Sequence, residues 1–175
     1  MTRRAPIYCP YCGTHLDSRE IEGRHRGYCR ACDEIIFQRP APTAWLVVYD
    51  DRDAVWVRSR RRTSWTVPGG FIEVDESAAE GAARELAEET NLRVAPDDLA
   101  LLRTGFYMDD PRDGSLLSIC FAVAWSDVQG CPRALNEIED VRRCPLESFA
   151  GAEERVRTVD RERYETAMER FVERS

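Results

Sequence analysis

No lysine occurs anywhere in the 175-residue chain; all twenty-five basic residues are arginine, set against thirty-two acidic ones. With a net charge of −7 and a pI near 5.0, attraction to nucleic acid through a global positive field is excluded, and only a local basic patch is left. An acidic, lysine-free composition fits a salt-rich cytoplasm. High genomic GC content also removes lysine, but it does not explain the acidic excess. No apolar run reaches the roughly eighteen residues of a membrane span, and no signal-peptide core opens the chain. The expectation is therefore a soluble, cytoplasmic protein with room for one sizeable domain and a small appendage.

Apolar material is scarce in the first forty residues, where Ile7, Tyr8, Tyr28, Ile35, Ile36 and Phe37 supply most of it. A segment this poor needs a staple other than a hydrophobic core. Cys9-Pro10-Tyr11-Cys12 and Cys29-Arg30-Ala31-Cys32 provide one: two Cys-x-x-Cys pairs, sixteen residues apart, at the spacing of a four-thiolate zinc site. Zinc in such sites contributes on the order of 10–16 kcal/mol in isolated peptides, enough to order a three-stranded ribbon. Four thiolates leave no open position for water, so the zinc is read as structural. Disulfides would need an oxidising compartment, and thioredoxin-like chemistry uses one such pair rather than two. His15 and His25 are expected to be exposed loop residues. Cys120, Cys131 and Cys144 fit no ligand pattern; Cys120 lies in an apolar run and reads as core. Gln38 to Pro42 reads as an extended linker. This gives a ribbon and linker over 1–40 and a second domain over 41–175.

In the second domain, short apolar runs at Ala44–Tyr49 and Ala54–Arg58 flank a polar turn, a hairpin pattern. Further strands are expected at Leu99–Leu102, Gly105–Met108, Ser115–Trp125 and Ile138–Arg142. A short helix is expected over Leu146–Ala150 and a long one over Ala152–Glu173, whose apolar stripe would dock on the sheet. Strands on both sides of a central helix imply an α/β fold with a mixed sheet packed between helices.

That central helix carries the chemistry. Ser77 followed by Glu80 is a capping-box pattern, alanines and Leu86 favour helix, and Asn91 tolerates the left-handed turn that ends one. A helix over Ser77–Thr90 places Glu85, Glu88 and Glu89 on one surface, and each like-charge pair costs roughly 0.2–0.5 kcal/mol in an isolated helix. Magnesium or manganese would reverse that penalty, because hard cations take carboxylate oxygens and hold phosphates at their open positions. A solvated acidic face is the plainer alternative for three glutamates alone.

The wider pattern runs from Gly70 through Glu76 to Arg84-Glu85-Leu86-Ala87-Glu88-Glu89-Thr90-Asn91-Leu92 and resembles the Nudix box of the Nudix hydrolases. The departure is Asn91, where the family usually has glycine. The resemblance implies an α/β/α sandwich in which Glu85, Glu88 and Glu89 ligate Mg²⁺ or Mn²⁺ and Glu76 and Arg84 form a structural ion pair. Gly69 and Gly70 bend the backbone close to the metal site. By the same resemblance, Arg60 contacts substrate phosphate and Glu137, ahead of Glu139, is a further acidic ligand or base. Glu85, Glu88 and Glu137 are the candidate bases. Trp65, Phe106 and Tyr107 are candidates to stack on a nucleobase, with core packing the alternative.

A ribbon followed by a Nudix domain resembles the ribbon-bearing pyrophosphatases of ADP-ribose and FAD. The downstream Ser-Gln-Pro-Trp-Pro-Phe-Pro element and larger leading domain of the NADH pyrophosphatases are missing. The expected reaction is hydrolysis of a nucleoside diphosphate linked to another moiety. Nucleoside triphosphate sanitation and a non-catalytic nucleotide- or RNA-binding module are the alternatives. The expected partners are a nucleotide-derived small molecule, with neither nucleic acid nor membrane, in a monomer or homodimer.

Overall fold

The computed structural model describes residues 6–110, 114–150 and 155–173. The chain clusters into two compact units, Met1–Ala41 with Phe106–Leu116, and Pro42–Gly105 with Leu117–Ser175.

In the first unit, β1 (Asp17–Ile21), β2 (Arg24–Cys29) and β3 (Glu34–Ile36) form an antiparallel three-stranded ribbon in that order. Its small core is Cys9, Leu16, Cys29 and Ile36, with Cys32 packed against it. His25 is a strand residue paired with Glu20, and His15 bridges Tyr8. Both are exposed as expected, but neither sits in a free loop, because the ribbon's ladders recruit them.

The second sheet contains β4 (Ala41–Asp50), β5 (Asp53–Ser59), β7 (Gly69–Phe71), β8 (Ala100–Asp110), β9 (Gly114–Ala124) and β10 (Ile138–Pro145). The strand order is β10-β5-β4-β9-β8, with β7 also paired to β4. The β10–β5, β4–β5 and β4–β7 pairs are antiparallel, whereas the short β11 (Arg155–Val156) runs parallel to β6 (Ser64–Trp65).

Strand alternation sorts side chains to the two faces of this sheet. Leu46, Val48, Val55, Phe121 and Val123 face α1 (Ala78–Thr90), meeting Ala82 and Leu86. Val47, Ala54, Trp56, Cys120 and Ala122 face the other way, toward Tyr164, Ala167 and Met168 at the chain's C-terminal end. Helical layers therefore cover both faces, the arrangement the Nudix resemblance implied.

Helix α1 begins and ends as its sequence dictates. Ser77 Oγ accepts from the Glu80 amide at 3.2 Å, and the Glu80 carboxylate accepts from the Ser77 amide at 2.7 Å. Asn91 caps the other end at φ 62°. The C-terminal region departs from expectation. The start of the expected long helix, residues 152–154, lies outside the described residues; Arg155–Val156 is strand, because it finds β6 as a partner. Helix α2 then runs only from Thr158 to Ala167 before a π-helical turn over Met168–Val172. Leu99–Leu102 and Gly105–Met108 merge into the single strand β8, and the expected linker gives way to β4 at Ala41.

Candidate active site and thiolate cluster

Strand β7 and the C-terminal half of α1 build the acidic site together. Gly69 has φ 150°, a conformation side chains rarely adopt, and a Cβ there would lie 2.8 Å from Trp45 Cα and 2.9 Å from Trp45 Cε3. At Gly70 a Cβ would lie 2.6 Å from Glu85 Cδ. These two glycines let the backbone close on two carboxylates: Glu85 packs on Gly70, and Glu89 accepts the Gly69 amide at 3.0 Å.

Arg84 organises the rest. Its Nε and Nη2 donate to the two oxygens of Glu76 at 3.0 and 2.8 Å, a bidentate pair, and Nη2 also donates to the Phe71 carbonyl at 2.9 Å. Its Nη1 donates to Glu85 at 3.0 Å and to Glu88 at 3.1 Å. The Glu73 amide donates to Glu76 at 2.8 Å, closing the loop before the helix. Glu76 is thereby held below the ordinary carboxylate range, chiefly by the Arg84 hydrogen bond, and Arg84 is raised, chiefly by Glu76.

Glu85 and Glu89 move the opposite way. Burial pushes Glu89, only 8% exposed, up to about 8 against the Gly69 hydrogen bond that pulls it down; Glu85 and Glu137 raise it further and Arg157 lowers it. Glu85 is also raised, first by burial, with Arg84 opposing and Glu88 and Glu137 contributing. The last turn of α1 contains no basic residue, so Glu89 also faces the negative end of the helix dipole uncompensated. Glu85 and Glu88 share Arg84 Nη1 as donor, and Glu89 accepts from Gly69. Among the described residues, the only cluster with ligand atoms within 4.8 Å of one another is the cysteine set.

The other expected residues sort clearly. Glu137 is exposed, and its charge bears on both Glu85 and Glu89. The exposed Arg60 is tied to the same place, its amide donating to the Glu137 carbonyl at 3.0 Å. Glu139 instead pairs with Arg58 at 3.4 Å. Trp65 is fully buried beside Phe149 and is core rather than a stacking platform, whereas Phe106 stays 56% exposed. Sequence reasoning missed Asn136, whose amide donates to the Glu88 carbonyl at 2.9 Å. It also missed the buried Asp160 and Arg163 of α2. A charged residue between hydrophobic ones at helical spacing was the available signal for Arg163.

In the ribbon, Cys9 Sγ lies 4.0 Å from Cys32 Sγ and Cys12 Sγ lies 3.5 Å from Cys29 Sγ, with all four cysteines free. Four sulfurs at about 2.3 Å from a tetrahedral zinc stand about 3.8 Å from one another, so the donor set fits zinc. Thr14 hydrogen bonds hold Cys12 down to about 6, while hydrogen bonding with Cys12 and burial push Cys32 up to about 12.

The NUDIX domain family matches residues 39–167. A "MutT-like protein" of Streptomyces ambofaciens is 29% identical over 67% of this chain and 81% of its own. An NAD-capped RNA hydrolase, NudC, of Edwardsiella ictaluri is 30% identical over 50% of this chain and 34% of its own. YjhB of Bacillus subtilis, provisionally named an ADP-ribose pyrophosphatase, is 30% identical over 52% of this chain and 45% of its own. The chain thus spans less than half the length of the latter two. A solved NUDIX hydrolase from Nitrosomonas europaea superposes with a TM-score of 0.73 at 23% identity, covering 94% of this chain and 91% of its own. On the match across most of its length, this chain belongs to the Nudix hydrolase family.

Proposed function

We propose that the protein is a divalent-metal-dependent pyrophosphohydrolase of a nucleoside diphosphate linked to a second moiety, of the ADP-ribose or FAD type. The observation that carries this reading is the packing of Glu85 and Glu89 against the Gly69–Gly70 turn. The buried Glu89, the half-buried Glu85 and the exposed Glu88 have only one arginine, Arg84, hydrogen-bonded among them, and Glu88 and Glu89 stand at the negative end of a helix dipole. Glu85, Glu88 and Glu89 would hold Mg²⁺ or Mn²⁺. When bound, such a cation neutralises charge on the diphosphate and lowers the pKa of a water.

The chain's own residues do the remaining work. Arg84, fixed by Glu76, sets the positions of Glu85 and Glu88; the Gly69 amide orients Glu89. Glu85, Glu88 or Glu137 takes the water's proton, and the exposed Arg60 beside Glu137 grips a phosphate oxygen. The relatives' names support a substrate containing a nucleoside diphosphate, on RNA in one case and as ADP-ribose in another. The ribbon cysteines would hold one structural zinc. No helix among the described residues is long and apolar enough to cross a membrane, and we place the protein in the cytoplasm, a salt-rich one by composition, as monomer or homodimer.

The test is hydrolysis of ADP-ribose, FAD, NADH, diadenosine polyphosphates and nucleoside triphosphates with Mg²⁺ or Mn²⁺, at low and molar KCl, for wild type, E88Q and E89Q. Turnover of a diphosphate-linked substrate that both variants lose is the expected result. Silence across the panel with retained nucleotide binding would instead support a non-catalytic binder.

A further inference from the structure

Helix α2 carries a buried ionic cluster that the reaction itself does not require. Asp160 is 0% and Arg163 2% exposed. Asp160 accepts from Arg157 Nε and Arg163 Nη1, both at 2.6 Å, and Arg163 Nη2 donates to Ser118 Oγ at 2.7 Å. Burying such a set is expensive, and apolar residues of like volume often give equal stability. Its placement suggests another use. Both guanidiniums lie over the ring of Trp45, Arg157 at 4.8 Å and Arg163 at 4.3 Å from its centroid.

Trp45 is held on a second side as well: its Nε1 donates to Thr43 Oγ1 at 3.0 Å, and that hydroxyl donates to the Leu117 carbonyl at 3.3 Å. The fixed indole then bears on the active site, because Trp45 is the β-register partner of Gly69 and its Cε3, together with the Ala44 carbonyl and its own Cα, closes the space beside Gly69, lying 2.9 Å from where a methyl group there would stand. The next contact in the chain is the Gly69 amide on Glu89. Arg157 is also tied to this region through its backbone, its amide donating to the Trp65 carbonyl at 3.2 Å.

We propose that Arg157, Asp160 and Arg163 are positioning residues which, through Trp45, set the Gly69–Glu89 contact and thereby the affinity of the acidic helix face for a divalent cation. The inference rests on the metal-dependent reading above. Partners that orient a ligand without touching the metal commonly change its affinity by about 10- to 100-fold when removed.

The test is direct Mn²⁺ binding, by electron paramagnetic resonance of free Mn²⁺, to zinc-replete wild type, R157Q, R157K and W45F, with thermal midpoints measured alongside. R157Q keeps the Asp160–Arg163 pair, and W45F keeps an aromatic ring while withdrawing the indole edge from Gly69; both remain measurable if a variant at Asp160 fails to fold. R157Q and W45F are expected to bind Mn²⁺ about tenfold more weakly, and R157K, which restores the charge beside Asp160, to recover most of the loss. Unchanged affinity in both variants, or a loss that only tracks the unfolded fraction, overturns the proposal. If wild type itself binds no Mn²⁺, the hydrolase reading falls and this proposal with it.

Discussion

Glu89 is a side chain whose burial opposes stability at neutral pH. Its carboxyl is raised to about 8, above the ordinary value, mainly by burial. A group raised in the folded state contributes fully below its unfolded pKa and loses that contribution as pH climbs through the folded value. Wild type without added Mg²⁺ or Mn²⁺ should therefore lose stability between about pH 5 and pH 8, and E89Q should lose less, keeping only the smaller part due to the raised Glu85. Urea unfolding at the two pH values checks this, with divalent ions removed by dialysis so that no chelator strips the ribbon. E89Q should at the same time have no measurable hydrolysis. A second residue-scale prediction concerns Gly70, where a methyl group would collide with the Glu85 carboxylate. G70A should lower kcat by about 100-fold, a loss within the range for a misplaced catalytic group, with secondary structure unchanged by circular dichroism.

At the scale of elements, helix α1 was legible because every signal for it is local. The capping box, the alanine-rich interior and the left-handed Asn91 each act within four residues and are all present in the structure. S77A removes one cap and should cost about 1 kcal/mol in chemical denaturation, while leaving the Glu85 and Glu89 contacts intact. The acidic cluster was legible for the same reason, since residues three and four apart on a helix share a face. The C-terminal segment was not. Arg155–Val156 becomes strand through a pairing with Ser64–Trp65 some ninety residues earlier, and no local pattern encodes such a partner. Asp160 and Arg163 belong to the charged positions that ordinarily mark a helix's solvated side, yet they are buried because Ser118 and Trp45 arrive from distant strands to receive them. Trp65 misled in the opposite direction: an aromatic close to a candidate phosphate site is a reasonable stacking platform, but Phe149 covers it.

At the scale of the whole molecule, the apolar interior formed by the described residues divides into three clusters with no residue in common. Two line the faces of the six-stranded sheet, and the third is the ribbon core of Cys9, Leu16, Cys29 and Ile36. Half of that third core is cysteine, and its largest members are one leucine and one isoleucine, too little to offset the conformational entropy of about thirty ordered residues. With zinc held by the four cysteines, as proposed, the ribbon should depend on the metal for its fold, whereas the sheet, with Trp56, Trp65 and Leu86 fully buried, should not. Wild type should contain one zinc per chain by elemental analysis. C29S, which replaces a fully buried thiol in the cluster, should lose the zinc and with it hydrogen-exchange protection across β1, β2 and β3. Amides in β4, β5 and α1 should keep their protection in the same experiment. Exchange followed peptide by peptide separates the two outcomes: protection lost throughout would mean that the zinc-bound ribbon supports the catalytic fold as well as itself.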